Sequence, residues 1–134
     1  MSLPLVCKDI DIPANTPQNS PIRVAVRVPA GVIRKVWVLI PYGHKALAHL
    51  IIRHGETQVI PHEGDIHGDG EELVFDEVYE LQTNDVLTLE GWNEDSKYSH
   101  RFIVRLLVLP KTVAFPELAT LFALKRVLEV MGIE

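Results

Sequence analysis

Apolar and polar residues alternate with a period of two over much of the chain. Ile22, Val24, Val26 and Val28 interleave with Arg23, Ala25 and Arg27, and the run stops at Pro29-Ala30-Gly31. Successive side chains of a strand point to opposite faces, so this is the pattern of a half-buried β-strand. The same reasoning predicts strands over 32–40, closed by Pro41-Tyr42-Gly43, over 46–53, and over 57–60 after the turn His54-Gly55-Glu56. Short strands follow at 73–75 and 86–92, and a long one over 99–109 is stopped by Pro110. The stretch 63–71 contains Gly64, Gly68 and Gly70 without strand alternation and reads as a loop. Strands at this spacing, with no helical period between them, predict an all-β fold: an antiparallel β-sandwich of jelly-roll type.

The two ends break the pattern. Residues 1–21 hold Pro4, Pro13, Pro17 and Pro21 and the polar run Asn15 to Ser20. Proline fixes φ and removes a donor, so this segment is expected to be an extended arm, with Pro17 in contact with a supporting surface. Residues 111–134 are expected to form a helical tail. Pro116 suits the first turn, Glu117 faces the positive end of the dipole, and Gly132 ends the helix. Leu118, Leu121, Phe122 and Leu128 would give it an apolar face that packs on its own sandwich or on another subunit. The domain reading is therefore an arm over 1–21, a sandwich over 22–110 and a helical tail over 111–134.

Composition narrows the function classes. The 134 residues suit one domain, and 47% hydrophobic content argues for a packed core. The net charge of −5 speaks against binding to a phosphate backbone. Apolar runs such as Val36 to Ile40 are too short for a helical membrane span, and the first residues lack the pattern of a signal peptide. Cys7 is the single cysteine, so no disulfide within the chain and no cysteine-based zinc site is expected.

Candidate chemistry is sparse. The string Leu50 to Thr57, with Arg53-His54-Gly55, resembles the signature of the histidine phosphatases. That chemistry needs a second histidine and further arginines on an α/β sheet, so the string reads here as a hairpin turn. Six histidines occur: His44, His49, His54, His62, His67 and His100. None forms the His-x-His pair of a cupin metal site, and His44 and His49 fall on opposite faces of any strand that holds both. They read as surface or turn residues. The acidic loop Asp65, Asp69 and Asp76 imitates an EF-hand spacing without its helices, which makes Ca²⁺ the one cofactor considered. Charge is also segregated. Between His54 and Ser96 there are thirteen acids and no Lys or Arg, so acidic and basic surfaces could meet between copies.

The run Asn15-Thr16-Pro17, Ser20-Pro21-Ile22, Gly31-Val32-Ile33, Pro41-Tyr42-Gly43, Gln58-Val59-Ile60-Pro61, Gly68-Asp69-Gly70, Tyr79-Glu80-Leu81, Trp92-Asn93-Glu94-Asp95 and Tyr98-Ser99-His100 resembles small phage- and virus-encoded proteins of virion type. The resemblance spans about residues 13–110. It implies a non-catalytic structural protein of a virion, made in the host cytoplasm: a capsid, vertex or decoration subunit. Such a subunit would associate with itself and with other coat proteins, without sequence-specific contact to nucleic acid. A carbohydrate-binding module is the alternative, with Trp37, Tyr42, Tyr79, Trp92 and Tyr98 as candidate platforms. A cupin-type metal enzyme is the third reading, held back because three converging ligands cannot be named.

Overall fold

A computed structural model describes residues 5–111. Eight strands make up the described chain: β1 (Leu5–Ile12), β2 (Ile22–Val28), β3 (Gly31–Ile40), β4 (Ala48–His54), β5 (Thr57–Ile60), β6 (Glu71–Leu81), β7 (Asp85–Asn93) and β8 (His100–Leu109). They form two four-stranded antiparallel sheets, ordered β1-β8-β3-β6 and β2-β7-β4-β5. The pairing is nested: the first strand joins the last, the second the seventh, the third the sixth, and the fourth the fifth.

Period-two alternation decides which side chains meet between the sheets. Along β8, Phe102, Val104, Leu106 and Val108 are buried while Arg101 and Arg105 point away. From the facing sheet, Leu50 and Ile52 of β4 and Leu87 and Leu89 of β7 complete one continuous aliphatic core. The interior is filled with side chains, so any polar site among the described residues lies on an outer face or at an end.

Three expectations are corrected. The proline-rich arm is in part a sheet strand: Leu5 to Ile12 pairs along its whole length with β8, and Ile10 and Ile12 enter the core. Prolines flank this strand without interrupting it, which leaves its donors free for the ladder. Pro17 lies on the surface of the single chain, where the expected contact with another subunit is neither met nor contradicted. The short strand at 73–75 is the centre of the eleven-residue β6. The acidic window does not stand apart either, because β7 lies between β2 and β4 and β6 lies beside β3. Arg23 and Arg53 both pair with Glu90, Lys35 with Asp76 at 3.4 Å, Arg105 with Glu72 at 3.5 Å, and Lys111 with Glu80 at 3.1 Å. The expected helix, with Leu118, Leu121, Phe122 and Leu128, lies outside the described residues.

Gly31 opens β3 at φ +147°, and a Cβ there would sit 2.6 Å from the carbonyl oxygen of Leu109. No side chain fits without moving backbone. Gly31→Ala is expected to destabilise the fold by roughly 1–3 kcal/mol. Phe102→Ala, at a position with no exposure, should cost about 3–5 kcal/mol. Urea unfolding of both variants against the parent chain measures these losses, and Val78→Ala on the exposed face of β6 should stay within about 0.5 kcal/mol.

Candidate metal centre

The site begins where β5 stops. Strand β5 covers the edge of β4 only from Ile52 onward. At Leu50 the edge is taken over by Ile66 from the loop between β5 and β6, through two backbone hydrogen bonds of 2.9 and 2.8 Å. Leu50 and Ile66 both send their side chains into the core, at 0% and 1% exposure. Their sequence neighbours must then project to the opposite, outer face. Those neighbours include His49, Asp65 and His67.

The donor atoms of these three side chains lie within 4.8 Å of one another. Asp65 Oδ1 is 2.6 Å from His49 Nδ1 and 2.8 Å from His67 Nδ1, so one carboxylate oxygen accepts from both imidazoles. The other nitrogen of His49, Nε2, is 3.1 Å from Glu94 Oε2 at the end of β7. The indole of Trp92, the register partner of His49, stacks on the His49 ring at 5.2 Å and an interplanar angle of 10°. His49 is thus fixed in plane by Trp92 and at both nitrogens by carboxylates. Burial raises the Asp65 carboxyl, but the hydrogen bonds from His49 and His67 outweigh it and hold the group below the ordinary carboxylate value.

Two imidazoles and one carboxylate are a donor set for a divalent transition metal. Cis donors at about 2.1 Å from an ion stand about 3 Å apart, so the two separations from Asp65, 2.6 and 2.8 Å, need to open by only a few tenths of an ångström. Three protein donors leave the remaining positions of a four- to six-coordinate ion to solvent or a ligand, and the His67 side chain is half exposed.

The calcium candidates do not converge. Asp65 belongs to the histidine cluster, Asp69 Oδ1 accepts from the Gly43 amide at 2.7 Å, and Asp76 pairs with Lys35 on β3. The other histidines are engaged elsewhere. His44 is buried, with Nε2 2.8 Å from the Arg101 carbonyl and its ring 4.6 Å from that of His100. Burial and the neighbouring His100 outweigh that carbonyl and push His44 below the ordinary imidazole value. His100 in turn meets Asp95 at 2.8 Å, and His62 meets Glu77 at 3.0 Å. His54, from the Arg-His-Gly string, bridges the two sheets, 2.6 Å from the Tyr79 hydroxyl and 2.8 Å from Asp85. Of the five aromatic candidates, Trp92 is buried, Trp37 is half-buried and Tyr79 is bonded to His54, leaving Tyr42 and Tyr98 exposed.

The chain matches no protein-family model and no curated protein sequence. Among solved structures it is similar to Fe(II) HppE, at 12% identity and a TM-score of 0.40, covering 77% of this chain and 43% of that one. A second structure, Fe(II)-HppE with the alternative substrate (S)-1-HPP, matches at 10% identity and 0.39, over 77% and 42%. A disulfide-linked pilus protein of Bacillus endospore appendages matches at 11% identity and 0.20, over 81% and 93%. The chain spans less than half the length of the HppE chains.

The expectation of a virion structural protein is overturned at this point. The structures named above are two of Fe(II) HppE and one of a pilus protein, and none of these three is a virion component. The described residues also gather two imidazoles and a carboxylate that the sequence reading had dispersed to turns and a calcium loop.

Asp85 offers a pH test of the framework around His54. The hydrogen bond from His54, with a second from the Val86 amide, holds its carboxyl below the ordinary value. A depressed carboxyl stabilises the fold above its unfolded pKa, near pH ~3.9, and that contribution is lost as pH falls through the folded value. Urea unfolding at about pH 5 and about pH 3 should show the parent chain losing more stability than Asp85→Asn. Equal losses would mean that the His54 contact does not persist in solution.

Proposed function

We propose that this protein is a metal-binding β-sandwich domain that holds a divalent transition-metal ion through His49 Nδ1, Asp65 and His67 Nδ1. The observation that carries the reading is the convergence of these three donors within 4.8 Å on a face where strand alternation leaves them no core to fill. The Glu94 carboxylate supports it. A ligating histidine commonly donates its other ring N–H to a carboxylate, which fixes the tautomer and the ring plane. Glu94 stands at Nε2 of His49 in that role, and Trp92 restrains the same ring.

The nested strand pairing is that of a double-sheet jelly roll, a frame shared by cupins, lectins and viral coats. Such a frame does not choose among functions; the side chains on it do. Nitrogen-rich, partly exposed donors favour Fe(II), Co(II), Ni(II) or Zn(II) over Ca²⁺, which prefers an all-oxygen shell. The solvent-facing side of His67 would let water or a small ligand complete the coordination.

Titration of chelator-treated protein with Co(II) and Zn(II), followed by calorimetry and the visible cobalt spectrum, tests the reading. One ion per chain is expected. His49→Ala and His67→Ala should weaken binding by at least about tenfold each, and Glu94→Gln by roughly 10–100-fold through loss of the orienting bond. Variants that bind as the parent chain does would overturn the assignment and leave Asp65-His49-Glu94 as an ion-pair network.

A further inference from the structure

A cleft of about 620 Å³ opens at one end of the sandwich, between the β3–β4 loop and the β7–β8 loop. It has the size of a small-molecule site. Tyr42 and Tyr98 stand on its walls, at 88% and 66% exposure. Neither hydroxyl makes a hydrogen bond among the described residues. Tyr42 is exposed yet braced: a Cβ on Gly70 would strike Cδ1, Cε1 and Cζ of its ring, so the ring lies directly on the Gly70 backbone. The contact with Gly70 steadies the ring while leaving it open to receive a flat ligand.

The electrostatics of the cleft run against those of the whole chain, whose net charge is −5. Lys45 and Lys97 line it, and among the described residues neither makes an ion pair. The one carboxylate in the lining, Asp95, is already occupied. It meets His100 Nε2 at 2.8 Å and accepts the backbone N–H groups of Lys97 at 2.8 Å and Tyr98 at 3.3 Å. Two lysines that make no ion pair among the described residues therefore line a cleft whose carboxylate is already engaged.

The loop carrying Lys45 is held in shape. Lys45 and Ala46 both adopt left-handed backbone, φ +50° and +58°, which non-glycine residues rarely do. Hydrogen bonds from Gly43 N to Asp69 Oδ1 at 2.7 Å, Ala46 N to Gly68 O at 3.0 Å and Leu47 N to His44 O at 2.9 Å keep it there. Strained backbone held from three sides is a feature of ligand clamps.

We propose that this cleft binds a small anion carried on a flat ring, an aryl or heteroaryl carboxylate or phosphate, with the ring on Tyr42 and the anion between Lys45 and Lys97. The site is distinct from the metal centre and does not require it.

The test is an amide chemical-shift titration of the full chain in chelator-containing buffer. Adenosine 5′-monophosphate and indole-3-carboxylate serve as ring-bearing anions; adenosine, inorganic phosphate and acetate serve as half-ligands. Amides within 42–47 and 95–100 should shift with at least one ring-bearing anion, at a Kd below about 1 mM. The nucleotide alone would identify phosphate, the indole acid alone carboxylate, and both the shared chemistry. The half-ligands should bind at least about tenfold more weakly. So should the parent ligand to Tyr42→Ala and to the double variant Lys45→Ala/Lys97→Ala, each checked for a folded spectrum, whereas Val78→Ala, on the exposed face of β6, should bind unchanged. The proposal is overturned if neither ring-bearing anion moves these amides by about 10 mM, if adenosine binds as well as its monophosphate, or if the lysine double variant matches the parent chain.

Discussion

Two backbone hydrogen bonds join Leu50 to Ile66 just where β5 ceases to cover the edge of β4, and the outer face of that sheet is organised by them. The bonds place a loop residue in register with a strand residue. Burial of both side chains then fixes the sense of the register, since a slip by one would turn Leu50 and Ile66 out and His49 and His67 in. The aliphatic core thereby aims three polar side chains at one point. No dedicated scaffold is needed beyond a filled interior and a period of two.

The surroundings of that point reduce its freedom. Trp92 comes from the neighbouring strand at the register position opposite His49, and Glu94 follows two residues later as β7 gives way to the loop. The amide of Glu94 is bonded to the Leu47 carbonyl at 2.8 Å, which ties the end of β7 to the start of β4. Asn93 is buried and spans the same corner. Its side-chain amide donates to Ile12 and Tyr98 carbonyls at 3.2 and 2.9 Å, and its side-chain oxygen accepts the Asp95 amide at 2.9 Å. One buried asparagine therefore joins β1, β7 and the loop that lines the cleft. The His49-Asp65-His67 cluster and the cleft are neighbours in the fold because both grow from this corner.

Much of this frame was legible from alternation alone. Strands β2, β3, β5, β7 and β8 lie where the apolar periods place them, because each has one face in the core. β1 was obscured by the prolines on either side, although Ile10 and Ile12 carry the inward period. β6 was obscured because it lies at a sheet edge with acids on both faces, so only its middle stood out. The candidate donors His49, Asp65 and His67 were hidden for a different reason. A search for histidines one apart on a single strand finds nothing, since His49 and His67 belong to segments that meet through an isolated bridge. The available signal was Asp65-Ile66-His67, two polar residues flanking an isoleucine, which is a strand alternation inside a loop rich in glycine. Counting Asp65 among calcium oxygens concealed it. The acidic window misled in part: Glu72, Asp76, Glu80 and Glu90 each meet a Lys or Arg from outside it once the strands pair.

The most direct measurement of the central claim is an anomalous-difference map from a crystal of the chain grown with Co(II). The expected result is one peak at about 2.0–2.2 Å from Nδ1 of His49, Nδ1 of His67 and an oxygen of Asp65, with Leu50 and Ile66 still bridged and Glu94 still at Nε2 of His49. A map without a peak there, in which Asp65 keeps its hydrogen bonds to both imidazoles, would contradict it.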